Sequence, residues 1–181
     1  MEFKNLNSIR QSCRNYKKEV ITKDEVLKVI EVASLTPSAK NVQPWRVKVV
    51  MDYQFDEICE CFQENGRNLF LNNASALLVI YESEQSMEVN KRPHIDFGMS
   101  DIGAYAYALT LAAKDQGLDS IIIGYINASK LGELLDLDKD SIRLMVALGH
   151  ASENDVLRKK NRLSLDEVVS FHEKKVKNIE S

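Results

Sequence analysis

Apolar and polar positions along this chain change period several times, and each change marks an element. Leu6, Ile9 and Cys13 recur at helical spacing, which predicts a short first helix ending near Tyr16. Thr22-Lys23-Asp24-Glu25 reads as a capping box, after which Val26, Leu27, Val29, Ile30 and Ala33 share one face until Pro37 stops the helix. Trp45, Val47, Val49 and Met51 alternate with Arg46, Lys48 and Val50, the pattern of a half-buried strand.

Further along, Phe55, Ile58, Phe62 and Leu69 suggest a helix over residues 54–70 with a break at Gly66. Residues 74–81 are an almost wholly apolar strand, and residues 82–92 are polar enough to be a surface loop. A long helix over residues 97–116 follows, with Gly117 as the residue that ends it. It is rich in Gly, Ala and Ser and carries few charges, so it should be buried nearly all round, in a core or at a subunit contact. Residues 119–123 form a third strand, 128–135 a helix, and 142–148 a fourth strand closed by Gly149. Ser164, three residues before Glu167, caps a short helix over residues 165–174. No repeat or linker interrupts the series, so the expectation is one α+β domain over residues 1–181, with helices covering a modest sheet.

With 181 residues, 44% of them hydrophobic, the chain can bury a substantial core without cross-links. A formal net charge of -3 offers no basic field for nucleic acid. No apolar run is long enough to span a membrane, and Met1-Glu2-Phe3-Lys4-Asn5 lacks a signal-peptide core, which points to a cytoplasmic protein. Three cysteines, Cys13, Cys59 and Cys61, make neither a disulfide framework nor a spaced metal motif. Cys13 lies between Arg10 and Arg14, where a lowered thiol pKa competes with an inert thiol buried on the first helix.

Candidate chemistry lies in three places. The run Pro37-Ser38-Ala39-Lys40-Asn41-Val42-Gln43-Pro44-Trp45 pins both ends with proline and leaves short polar side chains between them, a recipe for a shaped loop. Arg10, Gln11, Ser12, Cys13 and Arg14 place two guanidiniums and a hydroxyl together; on a helix Arg10 and Arg14 would face one way and suit a phosphate. Arg158-Lys159-Lys160-Asn161-Arg162 is a second basic run. Each run alone could be a solvated charged face; together they would form two jaws on one anion. Glycine spacing fits neither a dinucleotide fingerprint nor a P-loop, and His94, His150 and His172 stand apart from one another.

The order Arg10-x-Ser12-x-Arg14-x-Tyr16, then Pro37-Ser38-Ala39-x-Asn41-x-Gln43-Pro44-Trp45, then Lys160-x-Arg162 resembles the nitroreductase family of FMN-dependent oxidoreductases. The likeness spans residues 8–169. It implies a mostly antiparallel sheet of four to five strands flanked by helices, in an intertwined homodimer with two composite sites. It also implies FMN as cofactor and NADH or NADPH as co-substrate, with ping-pong hydride transfer to a small electron-poor acceptor such as a nitroaromatic or quinone. By the same resemblance, the FMN phosphate and ribityl chain fall to Arg10, Gln11, Ser12, Arg14, Lys160 and Arg162. Pro37, Ser38, Ala39 and Asn41 reach the flavin of the partner subunit. Asn68, or else Asn65 or Asn72, meets the ring, and Ile123 and Gly124 approach its N5. No side chain is expected to be an acid or nucleophile, since the cofactor carries the chemistry.

Two positions depart from the family pattern. Gln11 stands where many members have a second arginine, and Ile123 where some carry glutamate. Residues 82–93 are also too few for the helical insertion of longer members, which implies a more open pocket. A flavin-storage protein, and a member that modifies flavin or dehalogenates its substrate, are the competing readings.

Overall fold

The computed structural model describes residues 2–92 and 95–172. Its centre is a four-stranded antiparallel sheet in the order β1-β2-β6-β5, formed by β1 (Trp45–Val50), β2 (Ala76–Glu82), β6 (Ile142–Gly149) and β5 (Asp119–Ile123). Leu77, Leu78, Val79 and Ile80 on β2 are fully buried, because β2 is a central strand with helices on both faces. Each such side chain contributes roughly 1.5–3 kcal/mol of burial.

One face packs α2 (Lys23–Ala33) and α5 (Phe97–Asp115) against Leu78, Ile80, Val146 and Leu148. The other packs α3 (Phe55–Glu60), its following turns and α6 (Ala128–Leu135) against Leu77, Val79, Ile121 and Met145. The capping box of α2 forms as the sequence predicts, with Glu25 N–H donating to Thr22 Oγ1 at 3.2 Å and Thr22 N–H to Glu25 Oε2 at 2.8 Å. Gly117 takes φ +80 directly after the α5 cap, the left-handed turn that glycine permits.

Several sequence expectations are corrected. The first helix, α1 (Phe3–Ile9), ends before Arg10, and Cys13 is buried on extended chain. The predicted helix over 54–70 is only α3 followed by two 3-10 turns, because Asn65 and Asn68 adopt positive φ and break the hydrogen-bond ladder. The stretch after Glu82 is not a plain loop: it forms α4 (Glu84–Asn90) and a two-residue ribbon, β3 (Lys91–Arg92) with β4 (Ile95–Asp96). Within one chain, helix α5 is covered on its sheet and α2 sides, while Gly103, Ala104 and Tyr107 are exposed. The capped helix after Ser164 is the short α7 (Leu165–Val168), and the rest of its predicted span from residue 173 lies outside the described residues.

Candidate functional site

Residues 10–17 run as extended chain along the open edge of β5. Cys13 N–H donates to the Ser120 carbonyl at 2.9 Å, Ser12 makes a parallel bridge with Ser120, and Tyr16 an antiparallel one with Ala151. Those partners replace the helical hydrogen bonds, so Arg10 and Arg14 are not held together by helical spacing. What gathers the cations is the C-terminal tail.

That tail folds back onto the same segment. Lys160 Nζ donates to the Arg10 carbonyl at 2.5 Å, and Arg158 Nη2 to the Ser12 carbonyl, also at 2.5 Å. Arg14 Nη1 donates to the same Ser12 carbonyl at 3.4 Å. The Arg10 guanidinium lies over the Tyr107 ring on α5, and its Nε is buried with no hydrogen-bond partner among the described residues. Burial, and then the charges of Arg10, Arg162 and Arg158, hold the Lys160 ammonium below the ordinary lysine pKa. Cations gathered in this way beside a buried guanidinium N–H have the chemistry to take an anion. Arg158 was not among the residues assigned from the sequence, although the basic run 158–162 was the signal that contained it.

Gln11, expected among the cofactor-binding residues, contacts the tail. Its Nε2 donates to the Asp155 carbonyl at 3.1 Å, to Asp155 Oδ2 at 3.2 Å and to the Val156 carbonyl at 3.2 Å, while its Oε1 accepts from Arg158 N–H at 3.0 Å. Both ends of the amide are engaged within the chain, so Gln11 fastens the tail to the first basic segment. An arginine has no acceptor and could not receive the Arg158 N–H.

At the other end of β5, Gly124 is exposed and a Cβ there would meet only Leu144 Cδ2 at 3.5 Å, so a flat group can approach the backbone closely. Ile123 itself is buried and points into the core. From Ser120 to Gly124 the strand extends about 13 Å, enough to place an anion and a planar ring at separate ends of one ligand. The segment carrying Asn65 and Asn68 is tied beside Gly124: Tyr125 Oη donates to Glu64 Oε2 at 2.9 Å, Asn127 Nδ2 to Glu64 Oε1 at 2.7 Å, and Arg67 stacks over the Tyr125 ring. Asn68 Nδ2 donates to the Phe62 carbonyl at 2.9 Å, and Asn72 accepts from Gln63. Asn65 is exposed at φ +61.

The loop over residues 37–44 lies elsewhere. It precedes β1, at the opposite edge of the sheet from β5, three strand spacings or about 14 Å away. Ser38 Oγ accepts from Gln43 N–H at 2.9 Å, Ala39 N–H donates to Asp101 Oδ2 at 3.0 Å, and Trp45 stacks on Tyr105 with centroids 4.6 Å apart. Lys40, Asn41 and Gln43 all have positive φ, a rigid and strained conformation for residues other than glycine. Within one chain, therefore, Ser38 and Asn41 do not join Arg10, Ser12 and Gly124.

Residues 8–150 match the model of the Nitroreductase family. The chain belongs to that family. Among relatives of this nitroreductase-family chain is a protein of Archaeoglobus fulgidus whose name gives NADH dehydrogenase or NAD(P)H nitroreductase; it is 29% identical over 166 residues, covering 88% of this chain and 91% of the relative. A nitroreductase family protein from Streptococcus pneumoniae has the same fold, with a TM-score of 0.82 at 22% identity, covering 94% of this chain and all of the other. A nitroreductase from Desulfovibrio desulfuricans, solved in complex with FMN, has a TM-score of 0.79 at 22% identity, covering 96% and 98% of the two chains. The family match ends at residue 150, before the basic tail, so the grouping of Arg158 and Lys160 with Arg10 rests on geometry. Among the described residues, no helix is long and apolar enough to cross a membrane, and no group of side chains has the makings of a metal site.

Proposed function

We propose that this nitroreductase-family chain is a flavin oxidoreductase that holds FMN and uses NADH or NADPH to reduce a small electron-poor acceptor. The convergence of Lys160 on Arg10 carries the reading, because the buried Arg10 Nε, which has no hydrogen-bond partner among the described residues, and the crowded ammonium suit a phosphate dianion. The names of the relatives and the FMN complex of a protein with the same fold support it. Arg10, Ser12, Arg14, Arg158, Lys160 and Arg162 would hold the phosphate and sugar-alcohol chain, and the open backbone at Gly124 and Asn68 would border the ring. When bound, FMN supplies a two-electron relay between a nicotinamide and the acceptor. The chain's own task is to fix the cofactor at both ends and leave one face open for two substrates in turn.

The reading includes a homodimer. Ser38 and Asn41 sit on the far edge from the chain's own phosphate site and would serve a partner's. An exposed face of α5 with Gly103, Ala104 and Tyr107, together with the exposed Leu163, Leu165, Val168 and Phe171 of the tail, supports contact with a second copy. The deciding experiment is to purify the protein, measure its visible spectrum and FMN content per chain, and follow bleaching by NADH and by NADPH without oxygen. A yellow dimer bleached by at least one nicotinamide is expected. A protein that stays colourless after reconstitution with FMN would sink the proposal.

A further inference from the structure

The loop over residues 37–44 does not supply its own cap. Ala39–Asn41 is a single turn of 3-10 helix, and the N–H at its start, that of Ala39, has no acceptor within the turn. Ser38 stands at the N-cap position, yet its side chain makes no capping bond: its Oγ accepts from Gln43 N–H at 2.9 Å and closes the far end of the loop instead. The missing acceptor comes from 62 residues downstream. Asp101, one turn into α5, takes the Ala39 N–H on its Oδ2 at 3.0 Å.

Asp101 and Tyr105 lie one helical turn apart and so share a face of α5. Tyr105 is buried, and its ring lies nearly parallel to that of Trp45, with 4° between the planes. The helix therefore grips the loop at both ends, through a charge-assisted hydrogen bond at Ala39 and an aromatic stack where β1 begins. Between these anchors Lys40, Asn41 and Gln43 all hold positive φ, and Gln43 Nε2 donates to Asn41 Oδ1 at 3.3 Å. Such backbone conformations persist only where their surroundings over-determine them. Of the two anchors, Asp101 is the one on the polar half of the loop, bonded to the residue that follows Ser38.

We propose that Asp101 is a positioning residue for the flavin of the partner subunit: by holding the Ala39 N–H it sets the conformation in which Ser38 and Asn41 meet that flavin. The proposal rests on the flavin-oxidoreductase reading and on the homodimer that belongs to it. Asp101 acts on its own chain's loop, so its effect falls on the site whose Arg10 belongs to the other chain. Asp101→Asn keeps an oxygen that accepts the Ala39 N–H more weakly, whereas Asp101→Ala keeps none.

The test compares wild type, Asp101→Asn and Asp101→Ala as purified dimers, by fluorescence titration with FMN and by trypsin cleavage after the exposed Lys40. Cleavage and the FMN dissociation constant should both rise about tenfold in Asp101→Ala and about threefold in Asp101→Asn. A mixed dimer, co-expressed from Asp101→Ala and Arg10→Ala chains carrying different tags, gives a readout that a merely structural role would not produce. If Asp101 serves the partner's flavin, both lesions fall on one site and the other stays intact, so the mixed dimer should bind one FMN with wild-type affinity. If Asp101 serves its own chain's site, or only general stability, both sites are spoiled. Should Asp101→Ala not fold, Asp101→Asn decides alone in the same three measurements. Unchanged cleavage, raised cleavage with unchanged FMN affinity, or a mixed dimer without a tight site overturns the proposal. A wild-type protein that takes up no FMN, or binds it as a monomer, overturns the underlying reading instead, and the failures are distinct.

Discussion

Lys160 donates its ammonium to the backbone carbonyl of Arg10 at 2.5 Å, across 150 residues of sequence. The contact brings the far tail to the first basic segment, where Arg10 Nε is buried with no hydrogen-bond partner among the described residues. Replacing Arg10 or Lys160 by alanine should weaken FMN binding by about 10- to 100-fold, the scale of one charge-assisted hydrogen bond. Fluorescence titration of the apoprotein measures it. An unchanged dissociation constant in both variants would remove the phosphate assignment.

The same cluster makes binding depend on pH. Burial and the neighbouring Arg10, Arg162 and Arg158 charges depress the Lys160 pKa, so in the free protein it loses its proton at lower pH than an ordinary lysine. Phosphate favours the protonated form and pulls that pKa back up. Affinity for FMN should therefore fall as pH rises through the depressed lysine pKa. Titrations at rising alkaline pH should show this decline in wild type, and a flatter profile in Lys160→Ala.

Gln11 holds the tail through four hydrogen bonds from one amide. Gln11→Ala should free the 155–160 segment, raise trypsin cleavage after Arg158 and Lys159, and weaken FMN about tenfold without removing any cation. Arginine at this position restores charge but cannot accept the Arg158 N–H, so Gln11→Arg should not restore tail protection. Mass spectrometry of timed digests distinguishes these outcomes.

Lys40 stands at φ +53 in the 37–44 loop and is exposed. Lys40→Gly should relieve the backbone and raise stability by about 1 kcal/mol, despite the added freedom of glycine in the unfolded chain. Urea denaturation midpoints provide the measure. A loss of stability would mean that the conformation is not strained.

The thiols should be inert at neutral pH. Burial pushes Cys13 and Cys59 up to about 12, against roughly 8.5 when unfolded. A pKa raised on folding stabilises fully below the unfolded value, and that contribution is lost as pH rises toward the folded one. Urea midpoints should hold between pH 6 and 8, then fall from about pH 9 upward, with the buried Tyr16 acting in the same direction. Alkylation of the native protein at pH 8 should be far slower than that of free cysteine; equal rates would contradict the burial of these groups.

Local features of this protein were legible because their causes lie within a few residues. The Thr22–Glu25 box, the turn at Gly117 and the apolar run of β2 each close their own hydrogen bonds or expose their own periodicity. The ordered motifs around Arg10, Pro37 and Lys160 were enough to indicate the family. Tertiary structure decided the rest. Spacing at Leu6, Ile9 and Cys13 suggested helix to Tyr16, yet the edge of β5 offered Ser120 as a hydrogen-bond partner and the segment became extended. Nothing near Gln11 reveals that its amide will meet Asp155, Val156 and Arg158, and nothing near Glu82 reveals Arg143. Such pairings depend on which distant strand or tail comes alongside, a choice made by packing the whole chain around the sheet. The loop at residues 37–44 shows the division most clearly: its two prolines announced a rigid scaffold, but only the strand order set it on the opposite edge from the phosphate site.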